Sequence, residues 1–194
     1  MAKVFKFNRH PRISYLTQIM QVKGVDVYVH WSIFFIAAIF LLGALQKPFL
    51  VLVGMACWVG IILIHECGHL VAAQRKRCHV FEIEIYPIVG ITRYELPWSR
   101  VDRAFIAWGG VVAQALVAIP CVVYLQMFGY SRFEIVNEVL VLLGFFSLMI
   151  AAFNLLPMGP LDGATAWDLF PALYARMRDR RKPPPPAPRY RSSR

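Results

Sequence analysis

Long apolar runs without charge alternate with short charged stretches along this chain. No Asp, Glu, Lys or Arg occurs between Asp26 and Lys47, between Lys47 and Glu66, between Arg103 and Arg132, or between Glu138 and Asp162. A helix that spans a membrane needs about 20 predominantly apolar residues. The runs therefore predict four spans, at roughly 28–46, 49–74, 104–129 and 136–157. After the second run the period changes. Residues 79–96 set Phe81, Ile83 and Ile85 against Glu82 and Glu84, then meet Pro87 and Gly90 before a second β-rich stretch. Alternation of period two with a Pro/Gly break predicts a β-hairpin. Further on, Trp167, Phe170, Leu173, Tyr174 and Met177 recur at helical spacing beside Arg176 and Arg178, which predicts an amphipathic helix over 164–178 at a membrane surface. The fold class read from these patterns is an all-α membrane protein of about four transmembrane helices, with a small membrane-associated β-hairpin between the second and third. A basic N-terminal segment (1–27), a membrane-embedded core with its surface helix (28–180) and a Pro-rich basic tail (181–194) divide the chain.

Composition agrees with a lipid bilayer as the main surroundings. The 194 residues are 58% hydrophobic and 16% charged, against about 25% charged in ordinary soluble domains. The first apolar run is expected to stay in the protein, since nearly thirty residues precede it and no small-residue cleavage site follows it. Cys57, Cys67 and Cys121 fall inside expected spans and Cys78 just after one, so no disulfide framework is expected.

A net charge of +10 would suit nucleic acid, but its distribution points elsewhere. Lys3, Lys6, Arg9, Arg12 and Lys23 precede the first span; Arg75, Lys76, Arg77, Arg93, Arg100 and Arg103 lie around the middle loop; the surface helix and tail after the fourth span hold eight more. Lys47 and Arg132 stand alone in the other two loops. This asymmetry fits the positive-inside rule, with both termini and the middle loop in the cytoplasm. No nucleic-acid partner is expected.

The chemistry lies in "IILIHECGHLVAA", residues 61–73. Residues four apart share a helix face, so His65 and His69 can present two nitrogens to one metal ion with Glu66 beside them. This is the H-E-x-x-H pattern, two zinc ligands plus a carboxylate able to deprotonate a water. Core histidines with Glu66 as a hydrogen-bond partner are the plainer account. It fits less well, because each ionisable group deep in a span costs about 2.5–3.5 kcal/mol on insertion scales.

A catalytic zinc takes a third protein ligand, and Glu82, Glu84, Glu95, Glu134, Glu138 and Asp162 are the carboxylates at hand. Depth favours Asp162. His69 precedes Arg75 by six residues, about 9 Å along a helix, which puts it near the cytoplasmic end of its span. Asp162 follows the fourth span as that span returns to the same side. Pro157, Gly159 and Pro160 interrupt the helix between them, as irregular backbone lining a cavity would. An N-cap role for Asp162 is compatible with ligation through its other oxygen.

His65-Glu66-Cys67-Gly68-His69, followed by Asn154-Leu155-Leu156-Pro157 and then Asp162-Gly163, resembles the site-2 protease family of intramembrane zinc metalloproteases, which pairs HExxH with N-x-x-P-x-x-x-x-D-G. The stretch "VKGVDVYVHWS", residues 22–32, resembles that family's usual approach to its first span, and the hairpin resembles its membrane-associated sheet. Two departures stand out. Cys67 replaces the common Leu or Phe, and "GGVVAQ", residues 109–114, replaces G-P-x-x-N, so that Gln114 stands for a shorter amide. Gly109 and Gly110 also suit close helix packing.

The resemblance implies hydrolysis of peptide bonds in transmembrane protein substrates. His65, His69 and Asp162 would hold Zn2+, Glu66 would act as catalytic base, and Asn154 and Gln114 would contact substrate. It further implies regulated proteolysis at the cell (inner) membrane of a prokaryote, with a regulatory membrane protein as a further partner. The free edge of the hairpin at 80–95 offers a place for an unwound substrate to pair as a strand. Proline at Ile91 or a neighbouring edge position is then expected to reduce cleavage while zinc stays bound. A non-proteolytic membrane scaffold on the same zinc-binding fold is the alternative. His30, Trp31, Trp98 and Trp108 read as interfacial anchors, and Cys78 with His79 lacks the partners of a second metal site.

Overall fold

In the computed structural model the described residues are 15–43 and 47–180. The segment before Tyr15 and the Pro-rich tail lie outside them. Among the described residues three helices are long and apolar enough to cross a membrane: α2 (Pro48–Arg75), α3 (Arg100–Phe128) and the continuous run Glu134–Asn154. That last run consists of α4 (Glu134–Val141), a π-helical segment (Leu142–Phe146) and α5 (Ser147–Asn154). The first expected span differs from its reading. Residues 28–30 are strand, and helix α1 is described over Ile33–Gly43, the next three residues lying outside the described ones.

The all-α expectation also gives way. A four-stranded sheet forms in the order β1-β2-β3-β4, from β1 (Leu16–Val22), β2 (Val25–His30), β3 (Val80–Ile85) and β4 (Gly90–Tyr94). The antiparallel β3-β4 pair is the hairpin expected between α2 and α3, and β2 joins it in parallel, pairing Asp26 with Glu82 and Val29 with Ile85. The β1-β2 hairpin is new. Lys23 and Gly24 both have positive φ, 50° and 79°, which is what a two-residue hairpin turn needs for its twist to match the strands. Val25, Val27 and Val29 alternate with Asp26, Tyr28 and His30. That period-two signal was present in the sequence but merges with the apolar run that follows it.

Alternation gives the sheet one apolar face. Val25, Val27, Val80, Ile83 and Ile85 are buried in a common core with Ile62, Leu70, Ala73 and Ile106 from α2 and α3. Helix α2 therefore lies between the sheet and α3. The hairpin turn runs down its side, where the Trp58 indole N–H donates to the Pro87 carbonyl at 2.7 Å. Trp58 stands seven residues before His65, about 10 Å along the helix.

Helix α3 opens on Ser99, whose hydroxyl accepts from the Asp102 N–H at 3.4 Å. Lys76 at the end of α2 pairs with Asp102 at 2.7 Å, tying the two helices together at that end. Beyond α5 the chain turns through α6 (Gly163–Ala166) into α7 (Leu169–Arg180). Both pack against α3. Exposed Phe170, Tyr174 and Met177 line α7, as an amphipathic surface helix requires.

The tightest helix contact is between α2 and α3. A Cβ added at Gly68 would strike the Gly109 carbonyl oxygen, and one at Gly109 would lie 2.6 Å from the Gly68 oxygen. Small residues let helix backbones approach in this way. Gly60, on the same helix, has nothing within 4 Å of its Cβ position. Gly68→Ala is expected to lower thermal stability in detergent by about 1–3 kcal/mol through overpacking, while Gly60→Ala leaves it unchanged or slightly raised. Similar melting of the two variants would show that the close approach is not required.

Candidate metal centre

Four residues apart on α2, His65 and His69 turn their rings to the same side, edge to face at 81°. Their Nε2 atoms lie 3.0 Å apart. Asp162, in the turn that opens α6, places Oδ2 at 2.9 Å from His65 Nε2 and 3.2 Å from His69 Nε2. Among the described residues these three form the one set of His, Cys, Asp and Glu side chains with ligand atoms close enough for a shared ion, all within 4.8 Å. The Asp162 side chain makes no capping bond, so the N-cap reading does not describe it. The other carboxylates weighed as third ligand lie elsewhere: Glu84 takes Arg93 at 2.8 Å and the Tyr86 hydroxyl at 3.0 Å, and Glu134 pairs with Lys47 at 2.7 Å.

Each imidazole is fixed from behind. His69 Nδ1 lies 2.8 Å from the Ile106 carbonyl oxygen, which can only accept, so Nδ1 carries the proton. His65 Nδ1 faces Gln114 Oε1 at 2.8 Å. In the neutral imidazoles this leaves both Nε2 atoms as lone pairs. Burial alone would raise the Asp162 carboxyl, but its contacts with His65 and then His69 more than offset that and hold it well below the usual carboxylate range. Three atoms able to ligate a metal, two imidazole nitrogens and a carboxylate oxygen, thus converge on one point. One shared proton would serve two of the three; a cation serves all.

The surroundings leave room for such an ion. Gly110 on α3 faces the pair, and a Cβ there would lie 2.6 Å from His65 Nε2 and 2.7 Å from His69 Nε2. Gly109 and Gly110, read from sequence as packing residues, therefore differ in use. Gly109 receives Gly68, whereas Gly110 keeps the space over the histidines open.

Two tryptophans hold the Asp162 segment. Trp108 Nε1 donates to the Ala166 carbonyl at 2.9 Å, and Trp167 Nε1 to the Leu155 carbonyl at 2.6 Å. Their rings pack edge to face with centroids 5.8 Å apart. Trp108, expected as an interfacial anchor, thus has a structural bond inside the fold. Gly163 lets the segment fold onto the end of α5, since a Cβ there would strike the Leu155 and Leu156 carbonyls.

Glu66 is buried and borders the sheet. Thr92 Oγ1 donates to Glu66 Oε2 at 2.7 Å, and a Cβ at Gly90 would collide with the Glu66 side chain. Both residues sit on the face of β4 that meets α2. Sequence reading missed them, because the period-two pattern in "GITRY" puts residues 90, 92 and 94 on one face without saying what that face meets. Of the two expected substrate contacts, Asn154 is half-buried at the end of α5 with no side-chain hydrogen bond among the described residues. Gln114 is fully buried in α3.

Three comparisons bear on this arrangement. No family model matches the chain. A curated zinc metalloprotease of Methanocaldococcus jannaschii is 25% identical over 156 residues, 78% of this chain and 44% of that protein. The chain thus spans less than half the length of the curated relative it matches. A solved site-2 protease from Methanocaldococcus jannaschii matches with a TM-score of 0.64 at 18% identity, covering 84% of this chain and 73% of that one. This is a membrane protein with the site-2 protease fold. Together with the two motifs, these likenesses make the chain similar to the site-2 proteases.

Thr92→Val is expected to cost about 1–3 kcal/mol by leaving a buried carboxylate oxygen without its donor, and Thr92→Ser to restore most of that. Thermal unfolding in detergent reads both. Equal stability of the Val and Ser variants would mean that the bond contributes nothing.

Proposed function

We propose that the chain is an intramembrane zinc metalloprotease that hydrolyses peptide bonds of transmembrane protein substrates. The observation that carries the proposal is the convergence of two imidazole nitrogens and a carboxylate oxygen beside a buried glutamate. Their chemistry fits zinc, two imidazole nitrogens and one carboxylate oxygen being a known catalytic set. Their spacing fits as well, since donors about 2.0 Å from a tetrahedral ion lie about 3.3 Å apart. His65, His69 and Asp162 would hold the ion. When bound, zinc supplies Lewis acidity, lowering the pKa of a water and polarising a carbonyl.

The chain's own residues do the remaining work. Glu66 takes a proton from the attacking water on its carboxylate and delivers it to the departing amide nitrogen, as a general base and then a general acid. Thr92 holds one oxygen of that carboxylate by its hydroxyl, leaving Oε1 for the proton. The Asn154 amide is free to donate to the carbonyl oxygen of the substrate as negative charge develops there.

An extended substrate has a matching edge in β4. Tyr86 N–H bonds to the Val89 carbonyl at 2.9 Å, and antiparallel pairs alternate between bonded and non-bonded. Glu84–Ile91 is then a bonded pair, whereas Ile85–Gly90 and Ile83–Thr92 are not. Ile91 thus spends its backbone groups on β3, and proline there would break the hairpin instead of blocking its edge. The outward backbone groups belong to Gly90 and Thr92, the residues whose inner face meets Glu66. A strand paired there would run alongside the base.

The lipid bilayer surrounds this protease in the cell (inner) membrane of a prokaryote, both termini being cytoplasmic as the distribution of Lys and Arg favours. It acts in regulated proteolysis with a regulatory membrane protein as partner.

Glu66→Gln should retain zinc, measured by metal analysis of the purified protein, and lose about 10²–10⁴-fold in cleavage rate. Undiminished cleavage would remove Glu66 from this role. For the edge, methylating one outward-pairing amide of a peptide substrate should raise KM about 2- to 12-fold, the loss of one hydrogen bond of about 0.5–1.5 kcal/mol. A methylated peptide cleaved as well as its parent at every position would refute strand pairing.

A further inference from the structure

Gln114 stands where the family resemblance suggests a substrate contact, yet its surroundings argue for another task. It is 0% exposed, and both ends of its amide are engaged within the fold. Oε1 lies 2.8 Å from His65 Nδ1, while Nε2 lies 3.3 Å from Ser147 Oγ and 3.5 Å from the Ser147 carbonyl oxygen. Ser147 is itself 2% exposed. A substrate would have to displace one of these partners to reach the amide.

The orientation of that amide follows from Ser147. Its main-chain carbonyl can only accept, so it faces the NH2 end of Gln114 and repels the oxygen end. Oε1 is left for His65 and requires a proton on Nδ1. Turning the amide over would oppose two oxygens at Ser147 and set the NH2 group against His65 Nδ1. The imidazole proton would then move to Nε2, into the space shared with His69 and Asp162. The tautomer of His65 is thus set from α5, two hydrogen bonds away.

Local structure explains why these groups meet. Ser147 is the first residue after the π-helical segment Leu142–Phe146, and the wider turn changes which face of the Glu134–Asn154 run meets α3. Gly144 lies within it against Cys121 and Val122 of α3. On α3, Gln114 follows Gly110 by one turn and shares its face. Gly110 leaves space at the Nε2 atoms, and Gln114 fills the space behind His65.

We propose that Gln114, locked in orientation by Ser147, is a positioning residue that presents His65 Nε2 to a metal ion, and that it makes no contact with substrate. The proposal rests on the metalloprotease reading and specifies one part of it. Removal of a hydrogen-bond partner behind a metal-binding histidine typically costs 10–100-fold in metal affinity.

The test uses the full chain in detergent with Co2+ and Zn2+ as probes. Affinity is measured by competition with a chromogenic chelator, and the Co2+ absorption bands report the ligand field. Gln114→Leu is expected to bind both ions about 10–100-fold more weakly with altered Co2+ bands. Gln114→Glu keeps an oxygen towards Nδ1 and should restore affinity and bands towards those of the unaltered chain. Once loaded with zinc, the Leu variant should show an unchanged KM for a peptide substrate. If the Leu side chain prevents folding, Gln114→Met, of similar length and without an acceptor, serves for the same measurement. Tight metal binding by a folded Leu or Met variant, together with a raised KM, would overturn the proposal and return Gln114 to the substrate site. Failure of the unaltered chain to bind either ion tightly would instead overturn the metalloprotease reading, and this proposal with it.

Discussion

The close approach of α2 and α3 at Gly68 and Gly109 is the constraint on which the rest of the site depends. A histidine on α2 can bond a main-chain carbonyl of α3 only if the two backbones are nearly in contact. Ile106 supplies that carbonyl to His69 at 2.8 Å, and Gln114 reaches His65 two turns further along α3. A methyl group at either glycine would separate the helices and move both acceptors away together. The Nδ1 protons would lose their partners, and nothing would then keep the Nε2 lone pairs free and facing each other.

Placing ionisable groups in an apolar bundle costs several kcal/mol unless each finds a partner. Here the partners come from three separate elements. α3 receives the back of each imidazole, β4 holds Glu66 through Thr92, and the turn after α5 brings Asp162, itself held by two indole bonds to main-chain carbonyls. Among the described residues no buried side-chain nitrogen or oxygen lacks a hydrogen-bond partner. Such a network is strong only when complete, because an unmatched polar group in a low dielectric is worse than none. This binds the sheet, the helix pair and the C-terminal turn into one unit, although they are far apart in sequence.

Local periodicity explains which of these parts the sequence disclosed. The spacing of His65 and His69 shows in five letters because a helix repeats every 3.6 residues. Asp162 is within reach by counting depth along two spans, which needs only the helical rise and the charge pattern. The β3-β4 hairpin announces itself by alternation. The β1-β2 hairpin obeys the same rule, but its valines run directly into an apolar helix, and the two periods blur at His30 and Trp31. Relations set by tertiary register were out of reach. No local pattern says that residue 92 faces residue 66, that an α3 carbonyl caps His69, or that Trp108 bonds the chain after Asp162. The start of the first span was misplaced for a related reason, since an uncharged run does not mark where strand ends and helix begins.

Strand β4 relates the two halves of the proposed activity. Side chains alternate across a strand while backbone groups alternate along its plane, so one residue can meet a helix with its side chain and a neighbouring strand with its amide. Gly90 and Thr92 occupy that position. Inward, Thr92 bonds the Glu66 carboxylate and Gly90 makes room for it; outward, their peptide groups border the open side of the sheet. A helical peptide cannot use that edge, because its amides are already spent on bonds four residues back. Only a segment that has unwound offers the matching donors and acceptors, and once paired it is held within reach of the base. Selection for unwound substrate would then follow from sheet geometry, without a separate recognition domain.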